Sequence, residues 1–196
     1  MDSEFAPRII APPYYRVVPR IGSDSAQFIV DNLLRFSLKR LAFNNEIVHE
    51  LRKRIALVDH NFGQVADDIR VTRQTCDEVR VEWLEVPQSR LYRFLLFFHG
   101  GAFCFRLPRM QTALIGRWCR RSGARALMPA YRLAPEHPYP AASDDCLTAY
   151  RWLLNSGVPA HNIVFCGDSA GGNLTRVTLM RARDAGLPLP AAALPS

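Results

Sequence analysis

Apolar residues recur along the chain with two different periods, and the change of period separates predicted helices from predicted strands. Residues 25–43 and 45–61 place apolar side chains three and four positions apart, which predicts two amphipathic helices. Val79, Val81 and Trp83 alternate with charged residues, which is typical of an outer strand with one exposed face. Each predicted helix carries an apolar stripe that another surface must cover.

A polar, irregular stretch over residues 63–77 separates these helices from the rest of the chain. Residues 1–24 are interrupted by prolines and predict an arm at the surface. We therefore predict an N-terminal arm with two helices over residues 1–75 and a main domain over residues 76–196.

Continuous apolar runs predict three buried strands in the main domain, at residues 92–98, 125–130 and 163–166. Helical spacing between and after these runs predicts helices at residues 109–122, 141–155 and 169–185. Strands and helices that alternate at these lengths predict an α/β domain with a parallel sheet and right-handed crossovers.

The net charge of +7 arises from 25 lysines and arginines against 18 acidic residues. The arginines are spread over the chain and interleaved with acids, without the clustered stripe or motif of a nucleic-acid-binding protein. The densest basic group, residues 52–54, follows Glu50 on a predicted helix and is typical of a solvated helix face. We therefore predict no nucleic-acid partner.

Cysteine spacing and the apolar runs indicate the cellular compartment. The five cysteines are scattered without a C-x-x-C pair, which favours reduced thiols over disulfides or a metal site. The N-terminus lacks the basic-then-apolar order of a signal peptide, and the longest apolar runs are far too short to span a bilayer. These patterns predict a cytoplasmic protein with neither a membrane span nor a bound metal.

The stretch with the clearest chemistry is IVFCGDSAGGN at residues 163–173. Its G-x-S-x-G spacing after an apolar run predicts a nucleophile elbow, with Ser169 at a sharp turn between a strand and a helix. Side chains two residues before and after the serine would clash in such a turn, which accounts for Gly167 and Gly171. The alternative is a glycine-rich loop that matches the pattern by chance.

His99-Gly100-Gly101, at the end of the predicted strand 92–98, is typical of the oxyanion-hole loop of lipases and esterases. Glycines let backbone N–H groups approach a substrate oxygen without a Cβ in the way. We predict that the amides of Gly100, Gly101 and Ala170 form the oxyanion hole. The alternative is an ordinary turn at the end of a strand.

Three motifs in the order FFHGGAF, YRLAPEHPYPAA and GDSAGGN resemble the hormone-sensitive-lipase-like family of α/β-hydrolase carboxylesterases, over about residues 91–189. The resemblance implies an α/β-hydrolase fold: a mostly parallel sheet, flanking helices and an N-terminal helical cap. It places strand 92–98 between strands 125–130 and 163–166. It also implies hydrolysis of small carboxylic esters through an acyl-enzyme intermediate on Ser169, without a cofactor.

The resemblance further implies structural roles for the other motif residues. Arg132 and Glu136 would fasten the YRLAPEHPYPAA loop, to which His137 also belongs. Asp168 would support the elbow, and His99 would shape the oxyanion loop without acting as a base.

The chain departs from the family pattern after Ser169. The triad of α/β-hydrolases runs in the order Ser, then Asp or Glu, then His. Asp184 is the only acid after Ser169, and no histidine follows it. We therefore expect a C-terminally truncated form that lacks the triad Asp and His and the last strands. Strand 163–166 would then be an unpaired apolar edge through which chains associate into homo-oligomers.

Three hypotheses about function remain open at this point. The first is a serine carboxylesterase whose acid and base are absent from this chain. The second is a non-catalytic α/β-hydrolase-fold protein that binds a small apolar or ester ligand. The third is an interaction module built on the basic N-terminal region. The motifs specify neither the acyl nor the alcohol part of a substrate.

Overall fold

The computed structural model of the protein describes residues 45–196, so the predicted helix over residues 25–43 and the arm before it lie outside the described residues. The helices are α1 (Asn45–Phe62), α2 (Pro108–Ser122), α3 (Ala141–Asn155) and α4 (Ala170–Asp184), with a 3-10 turn at Ala160–Asn162. The strands are β1 (Arg70–Cys76), β2 (Val79–Glu85), β3 (Phe94–Phe98), β4 (Arg125–Pro129), β5 (Ile163–Gly167) and β6 (Ala192–Pro195). None of these helices is both long and apolar enough to cross a membrane.

The six strands form one sheet in the order β1-β2-β4-β3-β5-β6. β3 pairs in parallel with β4 on one side and with β5 on the other, which confirms the predicted neighbours. The β5–β6 pair is also parallel, whereas the β1–β2 and β2–β4 pairs are antiparallel. The mostly parallel arrangement, with helices on both faces, is the predicted α/β architecture.

β3 lies in the middle of the sheet with every residue buried. Phe94, Leu96 and Phe98 belong to a core cluster that includes residues of α3 and α4. Leu95 and Phe97 belong to a second cluster that includes residues of α2. Because helices cover both faces of this strand, its sequence is a continuous apolar run rather than an alternating one.

The structure corrects the prediction that residues 63–77 are irregular, because Arg70–Cys76 forms β1. Only Cys76 is buried in this strand, so no apolar alternation marks it. Backbone pairing with β2 along all seven residues of β1 forms the strand instead. β2 is therefore an inner strand and not the outer one that we predicted.

Two further features differ from what the sequence predicted: the extent of the compact unit and the edge of the sheet. Asn44–Ser196 forms one compact unit, whereas we predicted a division between residues 75 and 76. The last residues of the chain form β6, which pairs in parallel with β5 from Val164↔Ala192 to Gly167↔Pro195. The predicted open edge at β5 is therefore wrong, and the free edge of the described sheet on this side belongs to β6.

Arg52 attaches α1 to the core, which corrects the prediction that it lies on a solvated helix face. Its guanidinium donates to the backbone carbonyl groups of Cys104 and Ala134 at 2.8 and 2.7 Å. It also forms an ion pair with the carboxylate of Glu136 at 2.6 Å. These acceptors lie in loops more than fifty residues away in sequence, so helical periodicity alone could not identify them.

Asp59 makes a second attachment between α1 and the core. It is buried, and its carboxylate accepts the N–H groups of Arg109 and Met110 at the start of α2. The first amides of a helix have no partner within the helix, and a carboxylate there also meets the positive end of the helix dipole.

Candidate active site

The predicted elbow has the expected strand–turn–helix geometry. β5 ends at Gly167, α4 begins at Ala170, and Ser169 lies between them with φ 52° and ψ −116°. A positive φ is uncommon for a residue with a side chain, so the surrounding structure holds Ser169 in a strained conformation. Ser169 is also exposed, two residues after the end of the largely buried β5.

Close backbone contacts require the two glycines of the elbow, as predicted. A Cβ on Gly167 would overlap the carbonyl oxygen of Gly171. A Cβ on Gly171 would overlap the carbonyl oxygen of Phe98, the last residue of β3. The elbow is therefore built directly against the end of the central strand.

The end of β6 holds the elbow from its other side. The N–H of Ser169 donates to the carbonyl oxygen of Ser196 at 2.9 Å, and the N–H of Ser196 donates to that of Gly167 at 3.0 Å. These bonds continue the β5–β6 pairing into the turn, so β6 supports the strained serine as well as the sheet.

His99 lies buried at the start of the predicted oxyanion loop, residues 99–105, and shapes it. Its ring stacks on Tyr131 with centroids 4.0 Å apart, and the Tyr131 hydroxyl donates to the carbonyl oxygen of His99 at 2.6 Å. Nδ1 lies 2.8 Å from the carbonyl oxygen of Gly100, which only accepts, so Nδ1 carries the proton. Burial lowers the pKa of His99 to about 4, which makes it a weak base at neutral pH.

This shift predicts that acid destabilises the protein through His99. The folded protein holds this imidazole neutral while the unfolded chain protonates it near its usual pKa of 6.5. The contribution of the neutral His99 to the free energy of unfolding is therefore complete above pH 6.5, and it is lost as the pH falls from 6.5 toward 4. Between pH 7 and pH 5 the loss amounts to ~2 kcal/mol, in a range where most carboxylates stay ionised.

Urea denaturation of the wild type and of His99→Asn at pH 7 and pH 5 measures this contribution. In the wild type, the free energy of unfolding should be lower at pH 5 than at pH 7. In His99→Asn we expect this difference to be smaller by ~2 kcal/mol. His161→Asn, at an exposed position, is the matched control and should keep the wild-type difference. An unchanged difference in His99→Asn would contradict the assignment of a buried neutral imidazole.

The structure corrects one of the three predicted oxyanion donors. The N–H of Gly100 donates to Oδ1 of Asp168 at 2.9 Å, so it is not free for a substrate oxygen. The N–H groups of Gly101 and Ala170 donate to no acceptor within residues 45–196. The loop and the elbow lie at the same edge of the sheet, because Phe98 and Gly167 are paired at the ends of β3 and β5.

Ala102 is the loop residue that sequence reasoning missed. Its φ is 52° and that of Phe103 is 60°, which is unusual for residues with side chains. The N–H of Ala102 donates to no residue within the described part of the chain. The amides of Cys104 and Phe105 close the turn by donating to the carbonyl oxygen of Gly101. The signal was its place directly after the two glycines, at the tip of the same turn.

Within residues 45–196, no side chain forms a hydrogen bond with Oγ of Ser169. His99 is buried, and its Nδ1 proton is directed at the carbonyl oxygen of Gly100. Nε2 of His49 lies 3.4 Å from the carboxylate of Glu136, so this ring has a different partner. Asp184 is at the far end of α4, ~22 Å along the helix from the serine, where it pairs with Arg183. Among the described residues, no side chain therefore lies within hydrogen-bond distance of Oγ of Ser169 to act as a general base.

A cavity of about 270 Å³ lies beside the elbow. The predicted oxyanion loop contributes Ala102 and Phe103 to its wall, and α4 contributes Asn173, Leu174 and Val177. The N–H of Asn173 donates to the carbonyl oxygen of Ser169, so this wall begins one helical turn after the serine. The remaining wall comes from the YRLAPEHPYPAA loop and the residues that follow it.

Ion pairs fasten the YRLAPEHPYPAA loop, residues 131–142, as the resemblance implied. Arg132 donates to both carboxylate oxygens of Asp145 at 2.7 to 3.1 Å. Glu136 pairs with Arg52, and the hydrogen bonds from this guanidinium lower the pKa of Glu136 to about 2. Both pairs line a charged cleft of about 650 Å³, to which neither the predicted oxyanion loop, residues 99–105, nor α4 contributes. The smaller cavity is lined by both and is therefore the one relevant to Ser169.

Known proteins are similar to this chain in sequence. The model of the α/β hydrolase fold family matches residues 95–195. An acetyl-hydrolase of Streptomyces hygroscopicus is 40% identical over 120 residues, which are 61% of this chain and 40% of the relative. The hormone-sensitive lipase of Homo sapiens is 34% identical over 110 residues, which are 54% of this chain and 10% of the relative.

Solved structures extend the match to the fold. An esterase from the bacterial hormone-sensitive lipase family superposes with a TM-score of 0.72 at 34% identity, over 84% of this chain and 55% of that one. The chain thus spans about half the length of that structure and 40% or less of the two curated relatives. The chain belongs to the α/β hydrolase fold family and, within it, to the hormone-sensitive-lipase-like group.

Proposed function

We propose that the protein hydrolyses carboxylic esters with Ser169 as the nucleophile. The observation that carries this proposal is the strained, exposed serine beside a loop in which the amides of Gly101 and Ala102 have no acceptor within residues 45–196. Strain of this kind costs of order 1–3 kcal/mol, and folds retain it mainly where function uses it. The names of the relatives, an acetyl-hydrolase and esterases among them, support the same reaction class.

In the proposed reaction, Oγ of Ser169 attacks the ester carbonyl carbon while its proton passes to a general base. The tetrahedral intermediate carries its negative charge on the former carbonyl oxygen, where the amides of Gly101, Ala102 and Ala170 would donate. Each such donor contributes about 3–4 kcal/mol to transition-state stabilisation. Loss of the alcohol leaves an acyl-enzyme, which water hydrolyses to release the acid and restore the serine.

We propose that the triad Asp and His lie outside the 196 residues of this chain. The relatives extend well beyond the matched region, and the described residues provide no base at Ser169. The cavity of about 270 Å³ would take a small apolar part of the ester, because the oxyanion loop and α4 both line it.

This proposal predicts feeble but Ser169-dependent hydrolysis of p-nitrophenyl acetate by the 196-residue chain. An oxyanion hole without a complete triad retains a rate on the order of 10³–10⁴ over water. Ser169→Ala should lower the rate by removing the acyl-enzyme route and leave only what the oxyanion hole contributes without a nucleophile. Ser156→Ala, at an exposed serine, should not change the rate.

Two other results of this assay would contradict parts of the proposal. Turnover near 10 s⁻¹, typical of enzymes, that is lost in Ser169→Ala would mean that a histidine upstream of Ser169 serves as the base. A rate that is the same in the wild type and Ser169→Ala would favour the alternative of a fold that binds a small ligand without turnover.

We also propose that chains associate through the edge of β6. Leu194 is 59% exposed on this strand, and the far side of β6 pairs with no other strand of the described sheet. Unpaired edges are templates for other chains, and a lysine on an edge opposes such pairing.

Light scattering should show oligomers of the 196-residue chain and monomers of Leu194→Lys. Leu91→Lys, at a position 79% exposed outside the strands, is the control, and a monomeric wild type would contradict the proposal.

A further inference from the structure

We propose that Asp168 is a positioning residue that sets the direction of the oxyanion donors. This inference rests on the proposed function, because it concerns the loop that would stabilise the oxyanion. It assigns the residue between the elbow glycine and the nucleophile a task in the reaction, beyond support of the turn itself.

Asp168 touches the oxyanion loop and the start of α4 at once. Its Oδ1 accepts the N–H of Gly100 at 2.9 Å. A Cβ on Gly100 would overlap Oδ2, so the carboxylate lies directly against this glycine. The backbone oxygen of Asp168 accepts the N–H of Gly171 at 2.8 Å. One residue therefore fixes the loop relative to the helix on which Ala170 lies.

The bond to Gly100 holds one peptide plane of the loop at both ends. In the plane that joins His99 to Gly100, Asp168 binds the N–H and the Tyr131 hydroxyl binds the carbonyl oxygen. Because a peptide bond is planar, bonds at these two opposite groups leave the plane little freedom to rotate. Asp168 thereby fixes the starting direction of the loop that follows.

The next peptide plane carries the first free donor. It joins Gly100 to Gly101, and Nδ1 of His99 donates to its carbonyl oxygen at 2.8 Å. In a trans peptide the N–H points opposite to the carbonyl, so this bond directs the Gly101 amide away from the His99 ring. If Asp168 releases the preceding plane, the Gly101 amide loses its fixed direction as well.

The acceptor on Asp168 matters more to this role than its charge. A negative charge beside a developing oxyanion is unfavourable by Coulomb's law, so a purely electrostatic role would make the neutral variant the faster one. Asp168→Asn keeps an oxygen that can accept the Gly100 N–H, whereas Asp168→Ala leaves that amide without a partner. The two variants therefore separate positioning from charge.

The test measures the rate at which a fluorophosphonate labels Ser169, together with amide hydrogen exchange over residues 99–105. Asp168→Ala should label at least about tenfold more slowly, since a misplacement of 1 Å can cost on the order of 10²-fold. Its exchange over residues 99–105 should rise. Asp168→Asn should recover most of both losses, and Asp184→Ala, at an exposed position on α4, should match the wild type.

Each other outcome is decisive. Labelling of Asp168→Ala at the wild-type rate, or faster labelling of Asp168→Asn than of the wild type, would overturn the positioning role. A wild type that is not labelled at Ser169 would count against the proposed function. In that case unchanged exchange over residues 99–105 in Asp168→Ala would overturn the positioning role separately, and increased exchange would support the contact.

Discussion

Gly171→Ala should destabilise the protein by ~3–5 kcal/mol and remove the elbow with it. A Cβ at this position would overlap the carbonyl oxygen of Phe98 and lie 2.6 Å from its carbonyl carbon and 2.8 Å from that of His99. All three atoms belong to the backbone at the end of β3, which is buried between helices and cannot move aside. Alanine is more favourable than glycine within a helix by ~1 kcal/mol, so helix propensity alone predicts that Gly171→Ala stabilises the protein. The close contact with β3 makes the expected change in stability unfavourable instead.

Gly186→Ala is the control for this prediction. Gly186 has φ 66° and follows the same helix, and nothing lies within 4 Å of a Cβ built on it. Only the left-handed backbone then opposes a side chain, at a cost of roughly 1–2 kcal/mol. Urea denaturation followed by circular dichroism should rank the variants as wild type, Gly186→Ala, Gly171→Ala. A Gly171→Ala protein as stable as the wild type would mean that the elbow does not press against β3.

The motifs were predictable because their chemistry demands fixed local spacing. The strand before Ser169, the helix after it and the need for Gly171 all follow from how sharply the backbone must turn. The central strands were equally clear, because β3 is buried on both faces and reads as five apolar residues. For these elements, local sequence and final structure depend on the same interactions.

What could not be predicted depends on contacts between distant parts of the chain. β1 has one buried residue, so its pairing with β2 leaves no apolar pattern to read. The Gly100 amide binds a carboxylate 68 residues later, and no spacing within the H-G-G motif reveals that its donor is occupied. Arg52 resembled a solvated charge for the same reason, because its acceptors lie in distant loops.

The second large effect concerns Ser169 itself. A fluorophosphonate that reacts with the 196-residue chain forms a bond between Oγ and phosphorus, fluoride leaves, and the Oγ proton passes to a base in solution. The strained turn exposes this oxygen, and the free amides of the loop can bind the phosphoryl oxygen as they would an oxyanion. We expect slow labelling, since no imidazole assists, and complete loss of labelling in Ser169→Ala.

The site of the adduct tests the central claim most directly. Trypsin releases residues 152–176 as one peptide that contains both Ser156 and Ser169, so tandem mass spectrometry compares the two serines within a single molecule. We predict an adduct on Ser169 alone in the folded protein and none after unfolding in urea. An adduct on Ser156 to the same extent, or no adduct on Ser169, would contradict the assignment of Ser169 as the nucleophile.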